Sequence, residues 1–324
     1  MAGIKRNRAK SPVKAFSASQ HCSVIVTATM SAGKTSLINA LLGDDLLFSA
    51  NEAATATLTR IIPNRNLRQR VEGASYTVHG ELHAQSDNVY SELLRQWNDH
   101  QAVSSINLGC RIAGLRKTVR PLAIYDTPGP NNSQDMSHKI LLNTALALPG
   151  KKLLVYVLNA TQLATRDDEC LLQEIKQNVN LTTNDSIIFI LNKVDELDEE
   201  HGESIELFLN KSRDYLERIG FRQPIIIPAM MQMSLIARKI LNRKPVTRTQ
   251  HRRLQTELQR FHQNKYLFNL ASNIPSVIKR QIYAELKRTK SEHAEFGIFN
   301  KTELNQFIAY SGIRTLELYI SQHN

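Results

Sequence analysis

Apolar positions along the chain fall into short unbroken runs, and these alternate with stretches in which apolar residues recur every three or four positions. The runs "CSVIVTA", "LTRII", "LAIYD", "KLLVYVLNA", "SIIFILN" and "PIIIPA" have the length and density of buried strands. Between and after them, "KTSLINALLG", "QDMSHKILLNTALAL", "RDDECLLQEIKQNV" and "SIELFLNKSRDYLERIG" read as amphipathic helices, the first and last closed by Gly43 and Gly220. Strands buried on both faces must be covered on both faces. The pattern therefore predicts an α/β fold of three layers, a mostly parallel sheet with helices on either side.

Two segments lie outside a minimal version of that fold. Residues 64–118 contain a helix-like "NVYSELLRQWNDH" and a strand-like "SINLGCRIAG". Residues 238–300 are basic and mostly helical. Both are expected to be insertions in one domain covering residues 21–324, with "SGIRTLELYI" opening a final helix at 312–324. A length of 324 residues suits one large domain.

Charge adds to this picture. The formal net charge is +11 and unevenly placed. Residues 1–20 hold Lys5, Arg6, Arg8, Lys10 and Lys14 with no acid, which reads as a basic flexible arm; an organellar transit peptide has the same composition. A second basic region, 238–290, suits an anionic partner such as nucleic acid or acidic lipid, or equally a solvated helix surface. No apolar run is long enough to cross a bilayer, so no transmembrane segment is expected. Cys22, Cys110 and Cys170 have no metal-ligand spacing and read as reduced thiols in a cytoplasmic protein.

The candidate chemistry sits at strand ends. "ATMSAGKT" at 28–35 follows one strand and opens a helix, the context of a phosphate-binding loop, although Ala28 stands where that loop usually has glycine. Backbone N–H groups around Ser31, Ala32, Gly33, Thr35 and Ser36 would cradle a diphosphate. Lys34 would reach the β- and γ-phosphates, and the Thr35 hydroxyl would bind Mg2+. Downstream, "DTPG" places Asp126 to hold Mg2+ through water and Gly129 to offer its N–H to the γ-phosphate. "NKVD" places Asn192, Lys193 and Asp195 at a third strand end. The Asp195 carboxylate can accept from guanine N1–H and its exocyclic amine, which adenine does not present there, and the Lys193 stem can lie over the base. In this order, the motifs resemble those of P-loop GTPases related to translation factors, a resemblance that implies GTP and GDP as ligands and Mg2+ as cofactor.

The run "SAGKTSLINALLG" resembles the first motif of dynamin-like GTPases, and "TATLTRIIPN" is similar to their first switch. "DTPGPN" followed by "VLNATQLATRDDE" looks most like the bacterial dynamin-like proteins. The resemblance covers about residues 20–237 and the last helix. It implies a dynamin-type G domain in which Thr55 is the switch threonine closing on Mg2+, with Thr57 and Thr59 as alternates. It also implies that Ser31 offsets charge between the β- and γ-phosphates, often with a monovalent cation. Slow turnover that rises on homodimerisation through the G domain follows from it.

Several positions depart from the family pattern. Pro130 stands where signalling GTPases carry a water-orienting glutamine. "PAMMQM" replaces the usual fifth motif, leaving Ala229, Met230 and Met231 to meet the base through backbone and apolar packing. Residues 238–290 are too few for the long helical stalk of the family, so the stalk is expected to be absent or on another chain. The leading expectation is therefore Mg2+-dependent hydrolysis of GTP to GDP and phosphate, used to switch or dimerise. The competing one is a nucleotide-gated module with little hydrolysis that docks nucleic acid or the ribosome through its basic helices. The expected location is the cytoplasm, free or at the periphery of a membrane or nucleoid.

Overall fold

The computed structural model describes residues 22–48, 57–67, 70–112, 114–115, 120–127, 136–178, 185–263, 271, 273–287, 295–296 and 299–324. The expected arm at 1–20, Thr55 and Gly129 lie outside the described residues.

The first half of the chain forms β1 (Cys22–Ala28), α1 (Lys34–Leu42), β2 (Leu58–Pro63), β3 (Glu72–Thr77), β4 (Leu82–Ser86), α2 (Ser91–Asp99), β5 (Val103–Cys110), β6 (Leu122–Asp126) and α3 (Met136–Leu146). The second half continues with β7 (Lys151–Asn159), α4 (Arg166–Asn178), β8 (Asp185–Asn192), α5 (Ile205–Ile219), β9 (Ile226–Ala229), α6 (Met231–Leu241), α7 (Arg248–Gln263) and α8 (Ser276–Leu286). A short hairpin, β10 (Glu295–Phe296) and β11 (Phe299–Asn300), precedes α9 (Lys301–Tyr310) and α10 (Ile313–His323).

One nine-stranded sheet has the order β4-β3-β5-β2-β6-β1-β7-β8-β9. β6, β1, β7, β8 and β9 run parallel, and β2 is antiparallel to β6. This is the three-layer α/β architecture of a P-loop domain. β1 is buried along its whole length, as are the inner positions of β7 and β8, which is why these strands read as unbroken apolar runs.

Residues 64–118 do not stand apart from the sheet. β5 pairs in parallel with β2, and β3 and β4 add antiparallel strands beyond it, so the segment widens the sheet at one edge. "GASYT" and "LHAQS" escaped the pattern reading because an outer hairpin buries one face only partly. β4 exposes Leu82 and carries little apolar content.

The helices after β9 form one packed group. α6 lies against α1, α7 and α9, and α10 packs on α1, α8 and α9. The final helix is thus part of the core around the phosphate-loop helix. Arg238 and Lys239, at the start of the basic segment, are 8% and 6% exposed. Arg238 lies beside the fully buried Glu317 of α10, and Lys239 pairs with Asp45. Lys244 pairs with Asp44 at 2.8 Å. These cations pair with carboxylates of the chain itself.

Candidate functional site

The parallel register brings the sequence motifs to one edge. Val26 pairs with Asp126, Ala28 with Val157, Asn159 with Asn192, and Asn192 with Ala229. The ends of β1, β6, β8 and β9 are therefore level, at the carboxyl edge where open α/β sheets hold ligands.

The phosphate loop runs from Thr29 to Gly33. Ala28 is fully buried inside β1 and absent from the positions with positive φ, so alanine there costs the backbone nothing. The turn is made instead by Ser31 at φ 62 and Gly33 at φ 95. Gly33 is the position that requires glycine: a Cβ would sit 2.1 Å from the Asn192 amide nitrogen. α1 begins at Lys34, and no side chain caps it. Its first N–H groups lack helical partners and point at the loop mouth, together with the positive end of the helix dipole.

Lys34 extends from this helix and its ammonium contacts the Asp126 carboxylate. The two side chains are 12% and 18% exposed. Thr35 is half-buried beside them, and Ser36 turns away to donate to Gln232 at 3.2 Å. A hydroxyl and a carboxylate are hard oxygen donors. A Mg2+ ion takes one or two such groups and fills the rest of its octahedron with water and phosphate oxygens, so this donor set fits it. Among the described residues no group of three or more His, Cys, Asp or Glu side chains could hold a metal by protein ligands alone.

Asn192 ties the site together. Its amide nitrogen donates to the Ala32 carbonyl at 2.9 Å, and its oxygen accepts the Met231 N–H at 3.0 Å. The residue thus braces the phosphate loop against the start of α6. Lys193 takes a left-handed conformation, φ 64, which turns the chain so that Asp195 follows on a tight turn. The Asp195 carboxylate is 5% exposed, and burial raises its pKa. Met230 is buried and gives its N–H to the Ser311 carbonyl at 3.0 Å, leaving apolar packing as its contribution to a base.

Of the threonines expected to serve as the switch residue, Thr57 and Thr59 are described and both are buried. Thr59 stands within β2 opposite Asp126. Held in the sheet, Thr59 is a poor fit for a residue that must close on a ligand and release it.

Two groups were not singled out in the sequence. Asp168 in α4 is buried at 1% exposure and accepts from Thr29 Oγ1 (2.9 Å), Tyr156 Oη (2.7 Å) and Thr165 Oγ1 (3.1 Å). It anchors the first residue of the phosphate loop to the sheet, and burial raises its pKa. The second is Arg253 of α7, whose Nη2 lies 3.3 Å from Asp195 Oδ2.

The sequence profile of the dynamin family matches residues 24–194, more than half of the chain. The chain belongs to the dynamin family. Members of that family are GTPases. The matched residues run from within β1 to just past the end of β8, so this dynamin-family match takes in the ends of β1, β6 and β8. No curated protein matches the chain. Among solved structures it is similar to two of an oligomerised bacterial dynamin pair, described as providing a mechanism for long-range sensing and tethering of membranes. Both share 16% identity over 81% of this chain, at TM-scores of 0.49 and 0.47. The chain spans 43% and 41% of those chains. Among the described residues no helix is long and apolar enough to cross a membrane.

Gly33→Ala is expected to weaken GDP binding at least about ten-fold, because the added methyl group drives the Asn192 amide from the Ala32 carbonyl and strains a left-handed backbone at once. Equilibrium titration with a fluorescent GDP analogue measures it; unchanged affinity would place the phosphate site elsewhere.

Proposed function

We propose that the chain binds GTP at this edge and hydrolyses it to GDP and phosphate with Mg2+, by in-line attack of water on the γ-phosphate. The observation that supports this most is the convergence of Lys34, Asp126 and Asn192 at the ends of β1, β6 and β8, beside an uncapped helix N-terminus.

Each residue has a physical task in this reading. The N–H groups of Gly33 to Ser36 bind phosphate oxygens, and Lys34 neutralises charge on the β- and γ-phosphates. Ser31, exposed at the loop's crest, faces the bridging oxygen, where a monovalent cation can assist. Thr35 and Asp126 would hold Mg2+, which would neutralise charge developing on the phosphate oxygens. Thr55 and Gly129 belong to the switch segments that would order around the γ-phosphate. Asp195 reads guanine, with Lys193 over the base and Met230 packing beside it. With Pro130 in the glutamine's place, the attacking water must be held by backbone groups or by a second G domain. Family membership supports the second option, a homodimer formed in the GTP state.

The test is phosphate release from GTP and ATP. Expected are turnover of GTP, none of ATP, loss of activity with a chelator, and specific activity that climbs with protein concentration. Equal turnover of ATP would sink the assignment of Asp195. Flat activity, with a monomer under GDP, a GTP analogue and a transition-state mimic alike, would sink dimerisation and leave the GTPase reading standing. The competing nucleic-acid reading loses support from the ion pairs of Arg238, Lys239, Lys244, Arg253 and Arg260 within the chain.

A further inference from the structure

The basic helix α7 lies against the loop that would read the base. Arg253 Nη2 is 3.3 Å from Asp195 Oδ2 and 3.8 Å from Glu196 Oε1. Seven residues on, along the same helix face, Arg260 lies 2.5 Å from Glu199 and 3.2 Å from its own neighbour Glu257. The helix is set in this position by Leu254, Leu258 and Phe261, all buried, with Phe261 meeting Phe307 and Tyr310 of α9. α7 is therefore a rigid arm that carries two guanidinium groups onto the segment 195–199.

We propose that Arg253 is a positioning residue for guanine recognition: it holds the Asp195 carboxylate charged and oriented so that both oxygens can accept from the base. This rests on the GTP reading above. The geometry permits it without competition. An ionised carboxylate offers about four lone-pair sites. Guanine N1–H and its amine use one on each oxygen, and Arg253 takes a further one on Oδ2. The need for such a partner comes from burial. A carboxylate 5% exposed loses its hydration, and burial raises its pKa; a backbone hydrogen bond opposes that rise, and so does an opposite charge nearby. The charged groups that face Asp195 are Glu196 on its own turn, which opposes ionisation, and Arg253 and Arg260 of α7, which favour it. Glu257 also acts on it from α7, and Lys193 is drawn to Glu196 at 3.7 Å. Arg253 is the cation in direct contact.

The sign follows. Without Arg253 the Asp195 pKa rises further, so a larger fraction is protonated as pH falls, and a protonated carboxyl cannot accept from both guanine groups. Arg253→Ala is expected to weaken GDP binding by more at pH 5 than at pH 8, with a loss of about ten-fold at the lower value. Inosine diphosphate, which lacks the exocyclic amine, should lose less, so the preference for GDP over it narrows. Arg253→Lys should restore the pH profile by restoring the cation.

The measurement is calorimetric titration of wild type and both variants with GDP, ADP and inosine diphosphate at the two pH values, with thermal unfolding alongside. Unchanged or tighter GDP binding by Arg253→Ala overturns the inference, the latter marking Arg253 as a competitor. Equal losses for GDP and inosine diphosphate with no pH dependence overturn it too, marking α7 as a structural support only. A wild type that binds ADP as well as GDP overturns the GTP reading itself, and this inference with it.

Discussion

Lys34→Ala is expected to lower GTP turnover by at least about 10²–10³-fold, the loss that follows removal of one preorganised charge-stabilising donor. The ammonium of Lys34 contacts Asp126, so in this structure its charge is held at the place where phosphate and metal would meet. A γ-phosphate carries more charge than one carboxylate and is also cradled by the α1 N–H groups, so bound GTP should draw the ammonium off Asp126. That exchange frees the Asp126 oxygens for the metal at the moment when Lys34 begins to neutralise the phosphate. A neutral methyl can do neither. The fold should survive, because Asp126 lies at the carboxyl end of β6, where water can take the place of the ammonium. Single-turnover phosphate release at saturating GTP measures the effect, with circular dichroism as the folding control. Undiminished hydrolysis would mean that the phosphate loop is elsewhere.

The strands and motifs that build this site were legible because each is local. β1, β7 and β8 are buried on both faces and spell themselves as apolar runs. Gly33, Lys34 and Thr35 are contiguous, and Asn192, Lys193 and Asp195 fall within the one short run "NKVD". What stayed hidden are partners that meet only on folding. Asn192 was readable as part of a motif, but its bonds to Ala32 and Met231 cross the sheet. Arg253 and Asp195 are 58 residues apart, and nothing in "RTQHRRLQTELQRFHQ" distinguishes Arg253 from its neighbours. The basic segment looked like a surface for anions because net charge counts cations without showing the carboxylates opposite them. Yet one signal was available. Asp168, Arg238, Glu257 and Glu317 each fall on the apolar stripe of their helix, spaced three or four residues from buried neighbours such as Leu171, Leu235, Leu254 and Ile313. A charge in an apolar stripe is costly unless it is paired. Its presence implies a partner of complementary character inside the fold, and all four have one.

Glu317→Ala exploits that logic and is expected to lower stability by about 3–5 kcal/mol, as when one member of a buried ion pair is removed. Glu317 is fully buried in α10. Its Oε1 lies 2.6 Å from Arg238 Nη2, a close ion contact outside hydrogen-bond geometry, and Oε2 accepts from Arg314 at 3.3 Å. Arg314 would survive the loss, because Glu285 at 3.0 Å and the Gly114 carbonyl at 2.6 Å remain to it. Arg238 would not. Its other acceptors are the carbonyls of Ala40 (2.6 Å) and Leu41 (3.4 Å), at the last turn of α1, and its charge would be left in the core. Urea unfolding followed by the single tryptophan, Trp97, measures the change in midpoint. The double variant Arg238→Met, Glu317→Leu removes both charges and should recover most of the loss, because an apolar pair of similar volume carries no desolvation penalty. If the double variant is as unstable as Glu317→Ala, packing around α10 and not the stranded charge sets the cost. The outcome bears on the site as well as on the fold. Arg238 holds the far end of the helix whose near end is Lys34, so α10, although remote from the phosphate loop in sequence, helps fix the direction of α1 and of its first N–H groups.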